Sequence, residues 1–185
     1  MITISILIID SGVNSGAVTQ LNYVPYEGAS DYLNHGTVIA QIILAINPQA
    51  QIISIKITDR AGSTVNDKLA QALMYAVSHP EINLINVSLG LPTYSDTIQS
   101  IINTLHNRGT RIICAAGNNT PNIYPALYQH TLTVGSLNDD NTIASYSAPA
   151  QVYTYGSVTL NNTTYTGTSF STAIITGLLS KNTTL

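Results

Sequence analysis

Charge is the scarcest property of this 185-residue chain. Asp, Glu, Lys and Arg together supply 8% of it, against roughly a quarter in ordinary soluble domains. Six Lys and Arg set against nine Asp and Glu leave a net charge of −3. That balance excludes the basic footprint a nucleic-acid binder needs, and no charged tail is present. Surface polarity has to come from Asn, Thr, Ser, Gln and Tyr. The single cysteine, Cys114, excludes an internal disulfide framework and leaves the redox compartment open. It lies in the apolar run "TRIICAAGN", which reads as a buried, inert thiol. No apolar run reaches the length of a membrane span. The first residues, "MITISILIID", alternate like a strand and carry neither a basic leader nor a cleavage site. They are therefore not expected to be a signal peptide, which favours the cytoplasm if the chain is complete.

What is present is organised. At 44% hydrophobic, the chain is long enough to bury one real core, and a single domain over residues 1–185 is expected. Five β-branched runs read as strands: "ITISILII" (2–9), "QIISIKI" (51–57), "INLINVSL" (82–89), "RIICAA" (111–116) and "HTLTVGS" (130–136). Their near-continuous hydrophobicity suits a parallel sheet covered on both faces. Between them, Val38, Ile39, Ile42, Ile43 and Ile46 mark a helix of period 3.6. Leu69, Leu73 and Val77 mark a second, with Thr64 and Asp67 spaced as a capping box. Ile98, Ile101, Ile102 and Leu105 mark a third, closed by Gly109. Strand and helix alternate, so the expected fold is α/β, a doubly wound and mostly parallel sheet with helices on both faces. Residues 137–167 are turn-rich and read as short strands and loops. A last helix opens within "YTGTSFSTAIITG" (165–177). There is no internal repeat and no linker.

Four polar residues stand where such elements begin or end. Asp10 closes the first strand in "IIDSGV", His35 opens a helix in "HGTVIA", Asn118 follows a strand in "CAAGN", and Ser169 stands at a helix start in "GTSFSTA". Each has an ordinary explanation on its own. Asp10 and Asn118 are good turn formers, His35 can serve as a structural hydrogen-bonder, and Ser169 can cap its helix. Together they supply one candidate for every part of a nucleophilic site. A serine hydroxyl needs a base to take its proton, and the base needs a carboxylate to orient its ring. The oxyanion needs preset donors. Ser169 would attack, His35 would be the base and Asp10 would orient it. The Asn118 amide and the Ser169 backbone N–H would hold the oxyanion.

In this order the segments resemble the aspartate, histidine and serine boxes of the subtilisin-like serine proteases, the subtilases. "INVSLG" and "AAGN" are similar to that family's substrate-binding and oxyanion segments, and the matches span residues 6 to 177. The resemblance implies a serine endopeptidase that needs no cofactor and takes a peptide or protein in extended conformation, added as a strand beside its own backbone. It implies that Ser88, Leu89 and Gly90 form one wall, with Gly62 of "RAGS" opposite, and that Ala115, Ala116 and Gly117 line the pocket for the residue before the scissile bond. Gly62 and Gly90 read equally as turn glycines. In "NIYPAL" (122–127), Ile123 stands where the family has a small residue at the pocket floor, unless it points into the core.

Departures accompany the match. Ala173 replaces a usual proline, tolerated if it falls in a first helical turn. Gln41 replaces a usual glycine, which suggests altered packing against its helix. By that resemblance no propeptide is expected before Asp10, and the segment after the His35 helix lacks the inserted calcium-binding loop, so no metal is expected. Two other readings stay open: a transpeptidating relative in which an amine resolves the acyl-enzyme, and a catalytically silent peptide- or partner-binding module.

Overall fold

The computed structural model describes residues 4–16, 18–120 and 123–181. Seven parallel strands form the central sheet: β1 (Ser5–Asp10), β2 (Thr19–Asn22), β3 (Gln51–Lys56), β4 (Ile82–Val87), β5 (Arg111–Ala115), β6 (Thr131–Leu137) and β7 (Val152–Tyr155), in spatial order β2-β3-β1-β4-β5-β6-β7. The doubly wound α/β expectation holds. Residues 2 and 3 of the first expected strand lie outside the described residues.

The sheet is central because its strands are apolar on both faces. β1 is buried at every position. Side chains alternate across a strand, so Leu7 and Ile9 join one core while Ile6 and Ile8 join the other. The first core is covered by α2 (Asn66–Ser78) and α3 (Asp96–Asn107), the second by α1 (His35–Ile46) and α4 (Thr168–Lys181). Each fully buried Leu or Ile contributes roughly 1.5–3 kcal/mol, so a strand packed twice over ties the two layers together.

Helix ends follow local chemistry, with one correction. Ser95 caps α3 by accepting from the Ile98 N–H at 3.4 Å, and Gly109 (φ +90°) ends the turn that follows, as expected. The Thr64–Asp67 capping box does not form. α2 starts at Asn66 behind Val65 with no side-chain cap, because the Thr64 hydroxyl donates instead to the Ile57 carbonyl at 2.8 Å. The turn-rich region resolves into β7 and a hairpin of β8 (Ser157–Leu160) and β9 (Thr163–Thr166). Its two-residue turn, Asn161–Asn162, has both residues at positive φ (50° and 62°), the conformation a tight hairpin with native twist demands.

α4 is unusual for a buried helix because hydroxyls crowd it. Ser171, Thr172, Thr176 and Ser180 are all inside. Each finds an acceptor: Thr172 donates to Thr168 O, Thr176 to Asn86 Oδ1 and Ser180 to Gly177 O, and Ser171 reaches the β7 carbonyls of Thr154 and Tyr155. Satisfied in this way, buried hydroxyls cost little. Ala173 is fully buried in the second turn of α4, not the first, so the expected tolerance argument does not apply there. Gln41 faces solvent, so it does not alter the packing of α1.

The winding direction reverses at β1, which lies between β3 and β4. In open α/β sheets the crevice beyond the carboxyl ends of the strands at such a reversal is where ligands bind. Asp10 ends β1, and Ser88 follows β4 immediately.

Candidate active site

Asp10 is 2% exposed, and its Oδ1 lies 2.8 Å from His35 Nδ1. Since a carboxylate only accepts, Nδ1 carries the proton and Nε2 of the neutral ring keeps a lone pair. The same Oδ1 accepts from the Ser11 N–H (2.7 Å) and the Ser11 hydroxyl (3.0 Å). The negative charge of Asp10 raises the His35 pKa above its ordinary 6.5. Burial opposes this shift, while the hydrogen bond that His35 donates to Asp10 and the charge of Asp31 add to it. His35 also meets Phe170, the ring centroids 5.6 Å apart and the planes tilted by 55°.

Ser169 is the second residue of α4, in a first turn whose N–H groups have no carbonyl partner within the helix. Its hydroxyl donates to the Ser88 carbonyl at 3.1 Å, and the Ser88 hydroxyl donates back to the Ser169 carbonyl at 3.2 Å. Among the described residues no hydrogen bond joins Ser169 to His35. The structure therefore brings Asp10 and His35 into direct contact, and turns the Ser169 hydroxyl toward the end of β4.

Asn118 is held by its carbonyl end. Oδ1 accepts from Thr168 N–H (2.9 Å) and from the Thr168 hydroxyl (3.1 Å), which itself accepts from Gly117 N–H (3.2 Å). This leaves the Nδ2 donor free of the protein among the described residues. Gly167 makes the approach of Asn118 possible: a Cβ there would stand 2.9 Å from Nδ2, at a φ of +151°.

A cavity of about 280 Å³ joins Ser169 and Asn118, while Asp10 and His35 are not among its lining residues. Ser88, Leu89, Gly90, Ala115, Gly117, Asn118, Ile123 and Ser169 line it. Two expected members are elsewhere. Ala116 is buried, its N–H spent on the Val134 carbonyl. Gly62 does not line this cavity and sits in a tight turn closed by its own N–H to Asp59 O, at φ +78°. The turn reading of Gly62 is the one its geometry supports.

Ile123 lines the cavity and also packs against the core under α2 and α3. A Cβ built on Gly90 would collide with Ile123 Cδ1, and one on Gly117 would lie 2.9 Å from the same atom. The two glycines therefore make room for a side chain of this chain itself. Paired bonds between Leu91 and Tyr124 (2.7 and 2.9 Å) fix the segment that delivers it.

The comparisons decide the family. The family model described as the Subtilase family matches residues 3–183. The chain belongs to the subtilases. This subtilase is 28% identical over 160 residues to Subtilisin Savinase of Lederbergia lenta, a match covering 78% of the chain and 59% of that protein. It is 31% identical over 168 residues to Subtilisin E of Bacillus subtilis, covering 78% of the chain and 44% of the relative. A Thermophilic serine proteinase of Bacillus sp. strain AK1 is 31% identical over 129 residues, covering 63% and 32%. The alignments thus span about a third to three fifths of the length of these relatives. Among the described residues of this subtilase, no helix is long and apolar enough to cross a membrane.

Sequence reasoning missed three residues of the site. Thr168 was legible only as the middle of "GTS", yet it sets the orientation of Asn118. Ser11 and Asp31 surround the Asp10–His35 contact, and the only signal for Asp31 was an acidic residue shortly before a helix start.

Proposed function

We propose that this subtilase is a serine endopeptidase that works through an acyl-enzyme. The observation that carries the reading is the 2.8 Å Asp10–His35 contact, linked through the His35–Phe170 ring contact to the residue next to Ser169; Ser169 lines a cavity together with the free amide of Asn118. In the first step the Ser169 hydroxyl leaves the Ser88 carbonyl by rotation about χ1 and donates to His35 Nε2. His35 takes the proton as Oγ attacks the scissile carbonyl carbon, and Asp10 stabilises the imidazolium that results. Asn118 Nδ2 and the Ser169 N–H stabilise the oxyanion. His35 then protonates the leaving amine, and water reverses the sequence to free the acid.

The substrate is an extended peptide laid along Ser88, Leu89 and Gly90, recognised through its backbone more than through charge. With Ile123 filling the space over Gly90 and Gly117, a small or medium side chain such as Ala, Val or Leu fits before the cleaved bond better than Phe or Tyr. A cytoplasmic setting and a single catalytic domain go with the reading. One observation favours a silent binding module instead: the Ser169 hydroxyl engages Ser88 and not His35.

A fluorophosphonate probe separates the two, since only a primed serine is phosphonylated. Labelling of the native protein, absent in Ser169→Ala, is the expected result. Ser169→Ala also loses hydrolysis by roughly a millionfold, the size known from subtilisin itself. A folded native protein that takes no label would overturn the enzyme reading in favour of the module.

A further inference from the structure

The Asp10–His35 contact has a second carboxylate behind it. Asp31 is 5% exposed and lies in the loop leading to α1. Its Oδ2 accepts from Thr37 N–H (2.9 Å) and the Thr37 hydroxyl (2.6 Å), and its Oδ1 from Leu33 N–H (3.1 Å) and the Ser11 hydroxyl (2.8 Å). Asn14 clamps its backbone from both sides, each bond 2.9 Å. α1 begins behind Asn34 in the left-handed region with no side-chain cap of its own. Its free N–H groups are met from outside the helix, Thr37 by Asp31 and Gly36 by the Ser11 hydroxyl at 3.0 Å. The helix start that carries His35 is therefore set by Asp31 and Ser11.

The Ser11 hydroxyl has one proton and two carboxylate acceptors, Asp31 at 2.8 Å and Asp10 at 3.0 Å. What Asp31 draws from that proton, Asp10 does not receive. Asp10 also has a buried Oδ2 without a hydrogen-bond partner among the described residues, so its solvation rests on Oδ1 alone. A carboxylate short of donors pulls harder on the one proton it shares with His35.

We infer that Asp31 is a positioning residue for the base: through Ser11 and the first turn of α1 it holds His35 on Asp10 and keeps Asp10 a strong acceptor. The inference rests on His35 being the base of the proposed reaction. The charged groups facing His35 are Asp10 on β1 and Asp31 on its own loop. From α4 it meets the neutral Phe170. Lys56, beside Asp10 in the sheet register, has its ammonium turned to Ser30 O (2.8 Å) and Glu27 (3.2 Å).

The test is an NMR titration of the His35 ring, identified by its loss in His35→Ala, run beside the pH profile of kcat/KM on a peptide substrate. In Asp31→Asn the charge is lost and the Ser11 proton passes to Asp10, so the His35 midpoint moves to lower pH in both measurements. At the plateau kcat falls on the order of tenfold with KM little changed. Asp31→Ser, whose hydroxyl can still cap Thr37, gives the same direction, and Asp31→Glu restores the midpoint. Ser11→Ala removes a donor from Asp10, so the midpoint does not fall. An unmoved midpoint in a folded Asp31→Asn or Asp31→Ser protein, or a lowered one in Ser11→Ala, overturns the inference. Should the native protein hydrolyse nothing while the NMR midpoint shifts as expected, the positioning role stands and the endopeptidase reading fails.

Discussion

The two halves of the cleft are built from different chemistry. On the β1–α1 side one buried carboxylate, Asp10, bonds the imidazole and a second, Asp31, is tied to it through Ser11; among the described residues three of their four oxygens have fixed donors and Asp10 Oδ2 has none. On the β4–β5–α4 side there is no ionisable group among the bonded residues: Ser88, Asn118, Thr168 and Ser169 bind one another through hydroxyls, one amide and backbone carbonyls. Charge that is present at rest must be held in place, because an unpaired buried ion is costly. Charge that exists only at the transition state asks for donors left open, and in the proposed reaction Asn118 Nδ2 would be such a donor. The first half is over-determined and the second is poised.

The largest break in that contrast comes from the poised half. Asn118→Ala should lower kcat by roughly 10²–10³ with KM almost unchanged, the size of effect known for the matching donor of subtilisin. A rise in KM at constant kcat would make Asn118 a ground-state binder and remove the contrast. Next in size, Ile123→Gly opens the space above Gly90 and Gly117. Relief of that overpacking is worth on the order of 1–3 kcal/mol, so the Phe-to-Ala preference before the cleaved bond should rise about 10- to 100-fold. Profiling both proteins on a peptide library checks it, and an unchanged preference would return Ile123 to the core.

The smallest effect sharpens the charged half. With the His35 pKa raised by Asp10, activity, which needs the neutral ring, should rise with pH through a midpoint above 6.5. Stability runs the other way. A pKa higher in the folded than in the unfolded chain stabilises fully below the unfolded value and less as pH passes the folded one. Melting temperature should therefore decline modestly across the window in which activity climbs. This decline should vanish in Asp10→Asn.

Much of the fold was legible because β-branched runs and 3.6-residue periodicity are local properties. Asp10, His35, Asn118 and Ser169 were legible because each stands at an element boundary within a recognisable segment. What escaped was decided between distant segments. Thr64 was expected to cap α2 but bonds Ile57, a partner seven residues back and on β3's exit. Gly90 read as a wall beside the peptide and Gly117 as pocket lining, whereas the Ile123 side chain takes the space above both. Asp31 sits among the turn residues of "EGASDYLN", and nothing nearby announces that Ser11, 20 positions earlier, shares its hydroxyl.

The placement of α4 bears on how this protein would lose its site. The helix that carries Ser169 packs on α1 and against β4, β5, β6 and β7, and buries nine of its own residues. The buried first turns of a segment wedged in this way should not fray alone, and their amides are expected to exchange with solvent only when the surrounding core opens. If Ser169 is the proposed nucleophile, it and the native state should disappear in one cooperative event, and the fraction of serine open to a covalent probe should then count folded molecules.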